Sequence, residues 1–278
     1  MNINEFLPPR VAVIEMHGII GPRVRPHEFA RLLKEVRENP RYRAVVLDID
    51  SPGGTAYASE DIYLAAKRLA EKKPLVAAVR GIGASGSYMV AMAAQRLYAL
   101  PTAVIGSIGV ISARPMIEDL LAKIGVEMII STAGEHKDSG SLFRPPTDEE
   151  RAREQELLDA LHQRFQTIVL EGRPQLDAGT VAKLSSGEIH LGSQALDLGL
   201  VDELGDLDDA VQHAAGLAKI GPQTTVLRPR RSFAQTIMAR GATALADSLG
   251  PATLEAVGTA LLDRAYRRAL GIPDARHP

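Results

Sequence analysis

Ten residues, RGIGASGSYM from Arg80 to Met89, carry the densest chemical signal in the chain. Ser85 stands between Ala84 and Gly86, where the apolar stretch PLVAAVR gives way to SYMVAMAAQRL. The first reads as a strand and the second as a helix. A serine at a helix start lies beside unpaired backbone N–H groups, which suit a negatively charged oxygen. Its hydroxyl is a nucleophile if a base takes its proton; otherwise it is an N-cap serine. The turn alone leaves both readings open. Gly81, Gly83 and Gly86 also spell G-x-G-x-x-G, the glycine pattern of a dinucleotide-binding turn. That function needs an acid about 20 residues further on. From Ser87 to Ile117 there is no Asp or Glu, and the pattern falls on the third strand rather than the opening one. The dinucleotide reading is set aside, and no cofactor or metal is expected.

A second glycine turn, DIDSPGG, follows the strand pattern YRAVVLDID. Gly53 and Gly54 let backbone amides approach a substrate closely. Open α/β sheets bind ligands at the carboxyl ends of their strands. Two glycine turns at that end of neighbouring parallel strands can supply one amide each to a two-donor oxyanion hole. A base must come from elsewhere, because Ser87 departs from the G-x-S-x-G elbow of hydrolases. The histidines are residues 17, 27, 136, 162, 190, 213 and 277. His162, His190 and His213 fall on segments that read as helical or surface. His17 and His136 sit in loop-like contexts, and neither has an acid orienter at a recognisable spacing.

The elements that must position these residues alternate. RVAVIEMHGII, YRAVVLDID and PLVAAVR read as buried strands. PHEFARLLKEVREN and ASEDIYLAAKRLAEKK read as helices, the first with Phe29, Leu32, Leu33 and Val36 on one face. RLYALPTAVIGSIGVI holds two short strands, and RPMIEDLLAKIG a helix. Thr147 and Glu150 form a capping box before a long helix ending near Arg173. LGSQALDLGLVDELGDLDDAVQHAAGLA reads as helix, strand, helix. Apolar strands alternating with helices mean an α/β fold with a mostly parallel sheet.

Composition narrows the function. The 278 residues and 45% hydrophobic content suit a sizeable core, and a formal charge of -2 gives no pull toward nucleic acid. The absence of cysteine excludes disulfides, thiolate metal sites and a cysteine nucleophile. The N-terminus lacks the basic and apolar regions of a secretory signal. No apolar run is long enough for a transmembrane helix. The expected location is the cytoplasm.

DIDSPGGTAYASEDI, GIGASGSYMVAMAA, IGSIGVI and GEHKDSGSLFRPPTDEER occur in the order seen in the S49 peptidases of the signal peptide peptidase A type, and LGLVDELGDLDDA resembles the segment closing that family's catalytic domain. The likeness spans about residues 10 to 220. It implies a ClpP/crotonase-like fold and a Ser–Lys dyad that cleaves hydrophobic or signal-peptide-like peptides, with small or aliphatic residues before the cut. Carried over by position, Ser85 matches the nucleophile and Lys137 the general base. Gly54 and Gly86 match the oxyanion donors, and Ser107 a serine beside the lysine amine. A lysine with an ordinary pKa near 10.4 is protonated at neutral pH. The base is therefore expected to be poorly solvated and free of a carboxylate partner, with Asp138 turned away. Ser87 replaces the family's usual second glycine.

The family also implies a cyclic homo-oligomer, in which Lys137 of one subunit serves Ser85 of the next. The expected domains are a catalytic domain over 1–225 and a helical, arginine-rich C-terminal extension over 226–278. That extension holds eight arginines, no lysine and four acids. It suits subunit packing, a peripheral membrane contact or a mobile tail. Two other functions are compatible with the fold: a crotonase-type acyl-CoA enzyme, which would use a Glu or Asp base, and a catalytically silent peptide- or membrane-binding scaffold.

Overall fold

The computed structural model describes residues 8–229. Its elements are, in order, β1 (Arg10–His17), α1 (Pro26–Glu38), β2 (Tyr42–Ser51), α2 (Ala56–Ala70), β3 (Leu75–Ala84), α3 (Gly86–Ala91), β4 (Arg96–Ala99), β5 (Val104–Gly106), α4 (Glu118–Lys123), α5 (Asp148–Gly172), α6 (Ala178–Leu184), β6 (Ile189–Leu191), α7 (Gly192–Asp197), β7 (Glu203–Leu204), α8 (Leu207–Ala218) and β8 (Thr224–Leu227). The arginine-rich helices expected after residue 230 lie outside the described residues.

The strands form one sheet in the order β6-β5-β3-β2-β1-β8, with β4 against β3 and β7 against β4. Every pairing is parallel except β5 with β6. β1, β2 and β3 are runs of Val, Ile, Leu and Ala covered on both faces, as a parallel sheet requires. Ala12, Ile14, Met16, Val45, Leu47, Ile49, Ala77 and Val79 face the larger core, which α1, α2, α3 and α5 cover. Val11, Val13, Ala44, Val46, Val76 and Ala78 face a smaller core beneath α8. On α1 the expected stripe of Phe29, Leu32, Leu33 and Val36 is buried, each residue stabilising the fold by about 1.5–3 kcal/mol. Pro26 opens that helix without losing a hydrogen bond, because the first N–H of a helix has no partner within it.

β3 forks. Val76–Val79 pair with β4, whereas Ile82–Ala84 pair with β5. The fork explains a departure from the sequence expectation. The helix after Ser85 stops at Ala91 instead of running to Leu97, because Arg96–Ala99 is drawn into the sheet as β4. The helix expected over Arg114–Gly125 shortens to α4, which has no buried residue to hold a longer one. His190 lies on β6 rather than on a helix.

One long segment stands apart from this packing. Between Ile108 and Phe165 no residue is buried. Ile111 (89% exposed), Ile129 (87%), Ile124 and Leu120 are open to solvent there, and so is Leu157 on the first half of α5. α5 meets the core near its end, burying Phe165, Ile168 and Val169 with Leu170 packed beside them.

Candidate active site

β3 ends on Ala84, and Ser85 adopts φ 53°, ψ -126° before α3 begins. A non-glycine residue there carries strain of about 1–3 kcal/mol. Hydrogen bonding holds it: the Ser85 N–H donates to Gly106 O at 2.8 Å. The serine hydroxyl makes no capping bond, so the N-cap role weighed from the sequence is not what Ser85 does. Ala84 pairs with Gly106 across β3 and β5. Ser85 and Ser107 therefore leave adjacent strands side by side, both at positive φ. Ser107 is held in turn by its N–H to Glu188 O at 2.6 Å.

The DIDSPGG turn lies against this one. Gly53 has φ +89°, and a Cβ there would lie 2.6 Å from the Gly86 nitrogen and 2.8 Å from Ala84 O. A Cβ on Gly86 would lie 3.4 Å from the Gly54 nitrogen. At Gly54 a Cβ would collide with the Ile20 carbonyl, whose loop clamps the turn through Ile20 N to Gly53 O at 2.8 Å. The two turns touch backbone to backbone, which only glycine permits. Among the described residues neither the Gly54 nor the Gly86 amide donates to an acceptor. The structure thus brings Ser85, Gly54, Gly86 and Ser107 to one end of the sheet. At the same end the Asp50 carboxylate fills the space a side chain at Gly81 would take. A carboxylate there is hostile to a dinucleotide phosphate.

No hydrogen bond joins Lys137 to Ser85 or Ser107 among the described residues. Lys137 lies in a turn of the unburied segment and is exposed, not poorly solvated as expected. Its side chain makes no hydrogen bond or ion pair among the described residues. Asp138 is turned to Arg144, with Arg144 Nε 2.6 Å from its Oδ2. Arg144 also grips Glu150, which caps α5 from Thr147. The Arg144 guanidinium holds the Glu150 carboxyl down to about 2.

One constellation escaped the sequence. His17 Nε2 lies 3.2 Å from the buried Asp48 Oδ2, and Arg80 grips the same carboxylate with two contacts of 2.7 Å. The three residues continue the stripe of Val13, Val46 and Ala78 on the α8 side of the sheet. Residues 31 apart leave no short-range signal of such a pair.

A strained serine beside free amides at the carboxyl end of a mostly parallel α/β sheet is an arrangement suited to acyl transfer. Comparison with known proteins agrees. The family model for peptidase family S49 matches residues 67–221. A Synechocystis sp. protein named as a protease, slr0021, is 39% identical over 218 residues, covering 78% of this chain and 78% of its own. An Enterococcus faecium protein named for signal peptide peptidase, SppA, is 33% identical over 78% of this chain and 66% of its own. Protease 4 of Haemophilus influenzae is 32% identical over 79% of this chain but 37% of its own. The chain belongs to peptidase family S49. It spans less than two thirds of the length of the last two relatives. Among the described residues no helix is long and apolar enough to cross a membrane.

Proposed function

We propose that the protein is a serine endopeptidase in which Ser85 is the nucleophile and Lys137, supplied by a neighbouring subunit of a cyclic homo-oligomer, is the general base. The observation that carries this reading is the strained Ser85, its hydroxyl uncommitted, beside the two free amides of Gly54 and Gly86. The subunit-shared dyad is supported by the long segment without a buried residue that presents Lys137. Its isoleucines and leucines need a partner surface, and a second copy of the chain would cover them.

In the first step neutral Lys137 Nζ takes the Ser85 Oγ proton as Oγ bonds to the scissile carbonyl carbon. The carbonyl oxygen becomes an oxyanion and receives the N–H groups of Gly54 and Gly86. Collapse breaks the C–N bond, and Lys137 returns its proton to the leaving amine, leaving an acyl-Ser85 ester. Water, deprotonated by the same lysine, then attacks the ester carbon; the bond from Ser85 Oγ to that carbon breaks, and Lys137 returns the proton to Oγ. Ser107, at the end of the strand beside Ser85, would accept or donate at the lysine amine and fix its direction. Covering by the next subunit would withdraw Lys137 from bulk water, and the commitment of Asp138 to Arg144 leaves its amine without a carboxylate partner.

The substrates would be hydrophobic or signal-peptide-like peptides with a small or aliphatic residue before the cut. That preference rests on the family resemblance, helped by the many Ala, Gly and Val residues around both turns. Residues 1–225 would form the catalytic domain, and 226–278 an extension that serves assembly or a peripheral contact with a membrane from the cytoplasm. A serine-directed fluorophosphonate tests the site directly. Wild type should be labelled at Ser85, while Ser85→Ala and Lys137→Ala should lose on the order of 10³-fold or more in peptidase rate. Near wild-type peptidase activity in Ser85→Ala would refute the assignment. Turnover of an acyl-CoA by that variant would favour the crotonase-type alternative instead.

A further inference from the structure

We propose that Ser51 and Ser87 form a hydroxyl clasp that holds the Gly54 and Gly86 amides at the spacing an oxyanion requires, which makes both serines positioning residues for the chemistry of Ser85. The inference rests on the serine-hydrolase reading above.

Both side chains are fully buried. A buried hydroxyl must find a partner, and that of Ser87 contacts Ser51 O at 2.6 Å and Ala84 O at 2.8 Å. Its one hydrogen serves both carbonyls. The contact to Ala84 is the local bond a helical serine commonly makes to the preceding turn. The contact to Ser51 is different: it crosses from the first turn of α3 to the last residue of β2. Ser51 passes the connection on, because its own Oγ accepts the Gly53 N–H at 3.1 Å. The nucleophile turn is thus tied through Ser87, Ser51 and Gly53 to the turn that presents Gly54.

The tie matters because the two turns are in direct contact. The contact is backbone to backbone, and an atom added at Gly53 would lie 2.6 Å from the Gly86 nitrogen. A shift of either turn therefore changes the distance between the two amides directly. Oxyanion donors act within about 2.7–3.1 Å of where the charged oxygen forms, and their benefit appears in the transition state rather than on substrate binding. Loosening the clasp should lower kcat and leave KM alone.

The test uses the full chain with Ser87→Ala, Ser51→Ala and the double variant. Rates of fluorophosphonate acylation at Ser85 and of peptide turnover are expressed per titratable site, beside melting curves that report folding. Each single variant should slow acylation and kcat about 10-fold, less than the loss of an oxyanion donor outright, with KM unchanged. The double variant should be no slower than the worse single one, because both act through one connection. If Ser87→Ala fails to fold, Ser87→Gly removes the same hydroxyl and is read in the same way. Wild-type acylation in either single variant, a change confined to KM, or losses that multiply in the double variant would overturn the clasp while leaving the hydrolase reading intact. A wild-type protein not labelled at Ser85 would overturn both.

Discussion

Arg144 Nε lies 2.6 Å from Asp138 Oδ2, so the carboxylate next in sequence to Lys137 is already committed. The same guanidinium binds Glu150 at the start of α5. This clamp lets a lysine and an aspartate be neighbours in sequence without becoming an ion pair.

Removing the clamp should therefore lower activity. In Arg144→Ala, Asp138 is free to meet Lys137. An ion pair between them would engage the amine that the proposed mechanism needs free. Peptidase kcat/KM should fall, and the further change Asp138→Asn in the same chain should restore it. An unchanged kcat/KM in Arg144→Ala would show that Asp138 does not reach Lys137. Acid should spare the clamp until late. Glu150 is depressed from 4.5 to about 2, so its pairing is present above its ordinary range and is lost only as pH falls through about 2.

Gly54→Ala places a methyl group against the Ile20 carbonyl. Overpacking of this kind costs about 1–3 kcal/mol. Because the strained turn carries an oxyanion amide, kcat should also fall on the order of 10²-fold. Melting curves and steady-state kinetics on the same preparation check both effects. A fully active Gly54→Ala would remove Gly54 from the site.

The apolar side chains of the unburied segment make a separate prediction. Ile111→Asp and Ile129→Asp change residues that are 89% and 87% exposed in the single chain. Exposed substitutions of this sort alter the stability of a monomer by less than about 0.5 kcal/mol. They should nevertheless abolish both the oligomer and peptidase activity. Sedimentation velocity beside an activity assay decides the matter, and an active, monomeric double variant would exclude a shared site.

Two histidines compete with Lys137 for the role of base. His136 is its neighbour, and His17 has the acid partner Asp48 at 3.2 Å. His136→Ala and His17→Ala should each keep most activity. Collapse of the His17→Ala rate to the level of Ser85→Ala would transfer the role of base to His17.

The legible parts of the chain are those with a period. β1, β2 and β3 are long apolar runs, and α1, α2 and α5 repeat at helical spacing, so each is visible without tertiary information. β4 to β7 are two to four residues long, too short for any period; Arg96 and Leu97 fit both the helix pattern SYMVAMAAQRL and the strand pattern RLYALPTAVIGSIGVI, and pairing with Val76–Val79 decides for the strand. The glycines and Ser85 marked their own turns. The positive φ of Ser85 and Ser107 left no such mark, since both depend on β3, β5 and β6 lying together. Contacts between distant residues were also invisible: Ser87 to Ser51 spans 36 positions, and His17 to Asp48 spans 31. Lys137, in a loop without periodicity, was singled out by family resemblance alone. It is exposed in the structure.

The sharpest test of a dyad shared between subunits is complementation. Ser85→Ala and Lys137→Ala proteins, each inactive, are mixed under conditions where subunit exchange is demonstrated by labelled chains, and peptidase activity is followed as mixed oligomers form. The account predicts that activity returns to a fraction of the wild-type level, because some interfaces then pair an intact Ser85 with an intact Lys137 from the neighbouring chain. Mixed oligomers that form and stay inactive would contradict it, as would a wild-type monomer that is fully active on its own.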